Sequence, residues 1–163
     1  MVRRASNITR QIYVRGTSTP VVGVAHCREM KILIDTNIFL EILLAQDQSK
    51  EAKELLANVV DCELYLTDFT VHSIGLILFQ RRMNSMFGRF IADIVGANMG
   101  VLSLSVTEME MVVGIACKYT LDFDDAYQYA VAENHGLRIV SYDKHFDKTK
   151  LGRATPREII KQI

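Results

Sequence analysis

The chain has 163 residues, 49% of them hydrophobic, and its 19 Lys and Arg balance 19 Asp and Glu. That length and apolar content fit one globular domain rather than a disordered chain, and the longest apolar run, around residues 74–79, is far short of the roughly 18 residues a membrane-spanning helix needs. The charge is uneven: residues 1–29 hold five Arg against the single Glu29, leaving a net −4 on the remainder, so any attraction to nucleic acid must come from local basic patches or from a metal among carboxylates.

Cys27, Cys62 and Cys117 are odd in number, widely spaced and never paired as CxxC, which argues against a disulfide framework or a zinc site and predicts a reducing, cytoplasmic setting. Residues 1–29 are Arg-rich, contain Ser and Thr and show no period of either 2 or 3.6. They read as an N-terminal extension outside the fold: disordered, or an upstream stretch not natively translated, with the start at Met30. A transit peptide or a basic arm touching nucleic acid are the other readings. The folded domain is expected over residues 30–163.

Within KILIDTN, the apolar Ile32, Leu33 and Ile34 form a run too short for a helix, ending in Asp35, Thr36 and Asn37. This predicts a buried strand that delivers a carboxylate to its C-terminal end. By itself Asp35 could equally be the N-cap of the helix that follows. Residues 37–45 predict that helix. Asp47 and Gln48 break it, and Ser49 reads as the N-cap of a second, amphipathic helix with Ala52, Leu55, Leu56 and Val59 inward. Residues 63–67 alternate as a second strand.

Thr67 and Asp68 open an apolar helix in which His72 and Ser73 are the polar interruptions. Residues 83–97 predict a further helix with Met86, Phe87, Phe90, Ile91, Ile94 and Val95 as core filler. Arg81, Arg82 and Arg89 make a local basic cluster. Residues 101–104 predict a third strand and 107–119 a helix with Met109, Val112, Val113, Ala116 and Cys117 inward. Asp122, Asp124 and Asp125 crowd the first turn of the next helix, which suits the helix dipole but exceeds what capping needs; Gly136 ends it. A fourth strand over 137–140 runs into Ser141, Tyr142 and Asp143, followed by Lys144, His145, Phe146, Lys148 and Lys150. Thr155, Pro156 and Glu158 read as a capping box opening a short last helix.

Strands alternating with helices imply a three-layer α/β/α architecture around a central parallel sheet, with all strand C-termini on one edge. That edge would collect Asp35, Asp143 and the turn bearing Asp124 and Asp125. Carboxylates so gathered raise one another's pKa unless a cation lies between them, and an oxygen donor set suits Mg2+ or Mn2+ acting in phosphoryl chemistry. A receiver-like phosphoacceptor domain would need paired acids near the N-terminus, and no GxxxxGK[ST] or GxGxxG occurs.

ILIDTN, FDDAYQYAVAENHGLRIVSYDKHF and the helices between them resemble a PIN domain, the fold of many metal-dependent ribonucleases and of VapC-like toxins. The resemblance covers residues 30–163. It implies that Asp35, Asp125 and Asp143 are catalytic and metal-binding, with Asp124 as the alternative to Asp125, and that Asn37 and Ser141 support the site. The family's second acid, usually a Glu, falls where this chain has His72 and Ser73; His72 would then stand in as a nitrogen ligand, favouring Mn2+. The implied activity is hydrolysis of RNA phosphodiesters by an endoribonuclease, with Arg81, Arg82, Lys144 and Lys148 as candidates for RNA backbone contact. Implied partners are an RNA substrate, a small antitoxin protein if the chain is the toxin of a toxin–antitoxin pair, and a second copy in a homodimer. A catalytically impaired PIN-like module that binds RNA or protein is the alternative.

Overall fold

The computed structural model describes residues 30–59 and 62–163; the expectation of an extension over 1–29 lies outside them. Four strands, β1 (Lys31–Ile34), β2 (Glu63–Thr67), β3 (Gly100–Leu102) and β4 (Arg138–Val140), form one sheet in the order β3-β2-β1-β4. Every pairing is parallel. The helices are α1 (Thr36–Leu43), α2 (Ser49–Asn58), α3 (Asp68–Gln80), α4 (Asn84–Gly96), α5 (Met109–Tyr119), α6 (Phe123–His135) and α7 (Pro156–Ile160), with a 3-10 helix at Lys144–Lys148.

The three-residue pattern of β1 explains the layering. Successive strand side chains point to opposite faces, so Ile32 and Ile34 enter one core, with α1, α2, α3, α4 and α7, while Leu33 enters the other, with α5 and α6. All three side chains are fully buried, as a central parallel strand covered on both faces requires. This is the three-layer α/β/α fold. Tyr127 ties the α5–α6 layer to the other side of the sheet edge: its hydroxyl accepts from Leu104 N and donates to Asp68 Oδ1, both at 2.8 Å.

Caps set the helix limits. Thr67 Oγ1 accepts from Thr70 N at the start of α3, and Thr155 with Glu158 completes the capping box of α7. Gly136 ends α6 with φ at +64°, a left-handed conformation open to glycine without a Cβ penalty. Two local expectations need correction. Ser49 is the first residue of α2 rather than its cap; Gln48 occupies the cap position and makes no side-chain cap bond. Val113 and Cys117 face solvent, because only the Val112 and Ile115 side of α5 meets the sheet layer. Cys117 keeps a free thiol.

The order of construction matters for function. β1 extends to β2 and β3 on one side, and the chain then returns to place β4 on β1's other side. The sheet thus changes direction between β1 and β4, and in open parallel sheets the crevice beyond the strand C-termini at such a point is where ligands bind.

Candidate metal centre

Asp35 follows β1 directly and occupies the N-cap position of α1 with extended backbone, yet its side chain makes no cap hydrogen bond. Its two oxygens are used elsewhere. Oδ2 accepts from Asn37 Nδ2 and from Ser141 Oγ, both at 2.5 Å, and Oδ1 accepts from Gln128 Nε2 at 2.8 Å. Asn37 Nδ2 also donates to Ser141 Oγ at 3.0 Å, and Asn37 Oδ1 accepts from Tyr142 N at 3.3 Å. Asp35 is therefore a buried carboxylate clamped between the ends of β1 and β4 and the face of α6, and the helix-cap reading is set aside.

The first turn of α6 lies on this same edge, because α6 runs back across the sheet before β4 returns. Its three acids separate by task. Asp122 is the cap, its Oδ1 accepting from Asp125 N at 2.9 Å. Asp124 is exposed. Asp125 is buried and turns inward, where its Oδ2 lies 3.2 Å from His145 Nδ1.

Beyond β4, Asp143 N donates to Ser141 Oγ at 2.8 Å, so the serine that holds Asp35 also sets the start of the next turn. Asp143 Oδ1 then accepts from His145 N at 2.8 Å and caps the 3-10 helix. The same oxygen lies 3.3 Å from His145 Nδ1. Asp125, Asp143 and His145 each offer one ligand atom, and these atoms lie within 4.8 Å of one another.

A family model for the PIN domain matches residues 32–151. The chain belongs to the PIN domain family. Among solved structures, it is similar to a toxin–antitoxin complex from Klebsiella pneumoniae, with 19% identity and a TM-score of 0.59, over 77% of this chain and 97% of that one. It is also similar to PAE2754 from Pyrobaculum aerophilum, with 18% identity and a TM-score of 0.57, over 82% of this chain and 96% of that one. At these identities the likeness establishes the fold. No curated protein matches the sequence.

The acids of this PIN domain are electrostatically crowded. Burial raises the Asp35 carboxyl above the ordinary range, and the Asp143 charge adds to the rise; hydrogen bonds from Ser141, Gln128 and the Thr36 backbone oppose it. Asp125 is pushed up to about 6, first by burial and then by the charges of Asp122, Asp143 and Asp35, with His145 pulling the other way. Among the described residues His145 is the one basic side chain in ion-pair range of Asp125 or Asp143. Gln128 Oε1, on the amide that donates to Asp35, is buried and has no hydrogen-bond partner. Repelling carboxylates and converging ligand atoms together fit a divalent cation.

The remaining candidates lie apart. His72 is on the wall of an apolar groove between α3 and α4, with Gly75, Leu76, Phe79 and Phe87, its ring tilted 56° to that of Phe69 with centroids 6.3 Å apart. It is not among the gathered ligand atoms of Asp125, Asp143 and His145. Val95, expected in the core, borders the same groove and is 74% exposed. Ser73 is half-buried, one turn beyond Thr70, whose hydroxyl accepts from Thr36 Oγ1 at 3.1 Å. Arg81 and Arg82 follow the C-terminus of α3, 13 residues from the active edge, or about 20 Å at 1.5 Å per residue; the fold does not bring them to the acids. Lys144 is exposed within the 3-10 helix, and Lys148 Nζ donates to Thr120 O at 2.6 Å. Gln128 and His145 are the two site residues that sequence reading did not single out. Gln128 lies three residues after Asp125 and so on the same helical face, which could have pointed to it.

Proposed function

We propose that this PIN domain is a metal-dependent endoribonuclease that hydrolyses RNA phosphodiesters, with Asp35, Asp125 and Asp143 as its catalytic carboxylates. The carrying observation is their meeting at the β1/β4 switch point, with Asp35 buried and fixed by three side-chain donors. Asp125 and Asp143 would hold the cation, with Asp35 behind them. Bound Mg2+ or Mn2+ would polarise a phosphoryl oxygen and acidify an attacking water. The protein's own share is positional. Ser141, Asn37 and Gln128 hold Asp35 in one orientation, and the carboxylates orient the attacking water by accepting its hydrogens. Lys144 and Lys148, on the turn after Asp143, are the candidates for backbone phosphate contact.

The toxin–antitoxin complex among the structural neighbours supports a role as the toxin of such a pair, with a small antitoxin protein as partner. A second reading has its own observation: Ser73 and His72 stand where the family carries a Glu, so the domain could hold RNA or a protein without cutting. Cleavage of structured and unstructured RNA, assayed with Mg2+, with Mn2+ and with chelator, separates the two. The nuclease reading expects metal-dependent cleavage that Asp35→Asn abolishes without loss of fold. Binding without cleavage under both metals would establish the second.

A further inference from the structure

Resting on the metal-centre reading above, we infer that His145 is itself a ligand of the cation, so that the centre has a mixed nitrogen and oxygen donor set and prefers Mn2+ to Mg2+. The imidazole is placed by the backbone on both sides. The backbone N–H of His145 donates to Asp143 Oδ1 at 2.8 Å, and the next residue, Phe146, is fully buried in the core against α6. The ring therefore stands over the two acids, with Nδ1 at 3.2 Å from Asp125 and 3.3 Å from Asp143. Nδ1 is the nitrogen facing both carboxylates, and with them it forms the one group of three such residues found among the described residues with ligand atoms close enough to share an ion.

Two further features favour coordination over a simple ion pair. The imidazole remains 62% exposed, so an ion can reach its inner side without the core opening. The competing cations are absent from the acids: Lys148 Nζ is bound to Thr120 O, and Lys144 is paired with no acid among the described residues. A neutral imidazole offers the lone pair of one ring nitrogen to a metal, whereas an ammonium can only compete with one. The domain lacks the carboxylate expected around His72 and Ser73, and His145 restores the donor count with a softer atom. Carboxylate sites suit Mg2+ and Mn2+ alike, and an imidazole shifts preference toward transition ions.

The test uses the full chain loaded with Mn2+, read by pulsed electron paramagnetic resonance for nitrogen hyperfine modulation, alongside calorimetric titration with Mn2+ and Mg2+ separately. The wild type should show the modulation. His145→Gln, folded as judged by circular dichroism, should lose it and should lose at least about tenfold of its Mn2+ affinity, with a smaller change for Mg2+. Mn2+ that binds with no nitrogen modulation, or with modulation that persists in His145→Gln, overturns the assignment of His145 and leaves the carboxylate centre standing. Failure of the wild type to bind either ion, or binding unaltered by Asp125→Asn, overturns the underlying centre instead.

Discussion

Replacing Asp125 with Asn should make the metal-free protein more stable, although it removes a residue of the proposed centre. The Asp125 carboxyl is raised from 3.8 to about 6 by burial and by three neighbouring acids. An acid whose folded pKa is raised destabilises the fold when ionised. The penalty is fully present above about pH 6, fades as pH falls through the window between about 6 and 3.8, and is gone below it. A rise of that size corresponds to at most ~3 kcal/mol. Water reaching the cluster, the lost contact with His145 and the favourable N-terminus of α6 cut this to about 1 kcal/mol, or roughly 3 °C in Tm for a domain of this size.

Chelator-treated Asp125→Asn should therefore melt about 3 °C above wild type at pH 7.5 and level with it near pH 4, by calorimetry or circular dichroism. Metal should reverse the order. At a hundred times its Kd, a cation adds about 2.7 kcal/mol to the wild type, while the variant lacks one ligand and gains little. A variant less stable than wild type at pH 7.5 without metal, or a difference that does not change between pH 7.5 and pH 4, would refute the account of a carboxylate cluster under repulsion.

Other consequences follow from the same geometry. Gln128→Leu leaves Asp35 Oδ1 buried without its donor, at a cost of about 1–3 kcal/mol; denaturant unfolding should show it, and RNA cleavage should fall in kcat more than in KM because Asp35 loses its orientation. Leu33→Ala opens a cavity in the α5–α6 core and should cost ~2–5 kcal/mol in the same assay, with Mn2+ affinity per folded molecule unchanged. Arg81→Ala with Arg82→Ala should leave RNA affinity and its salt dependence as they are, whereas Lys144→Ala should weaken binding and lower the salt slope by about one. A fall in affinity from the arginine pair would show that RNA reaches the far end of α3.

Much of this arrangement is legible in the sequence because it is encoded by neighbours. Ile32, Leu33 and Ile34 can be read as a doubly buried strand from three adjacent residues, and Gly136 and the Thr155–Glu158 box mark helix ends through chemistry local to one turn. What sequence reading reaches only partly is what the fold joins over distance. Ser141 and Asp35 are 106 residues apart, and only the placing of β4 beside β1 makes one the donor to the other. His145 lies among Lys144, Lys148 and Lys150, with nothing local to distinguish it, and its selection comes from the cap at Asp143 and the burial of Phe146. His72 is harder still, because α3 is apolar almost all round and its rotational setting cannot be read from spacing.

The arginines at 81 and 82 are a different case, since helix length alone separates them from the start of α3: its 13 residues span about 20 Å at 1.5 Å per residue. The last helix before a parallel strand must deliver the chain to the edge where that strand starts. The same rule puts the first turn of α6 on the acids' own edge and makes Asp125 its inward carboxylate once Asp122 is taken as the cap. In this fold, position along a crossover helix is thus a better guide to which charged residues can share a site than proximity in sequence.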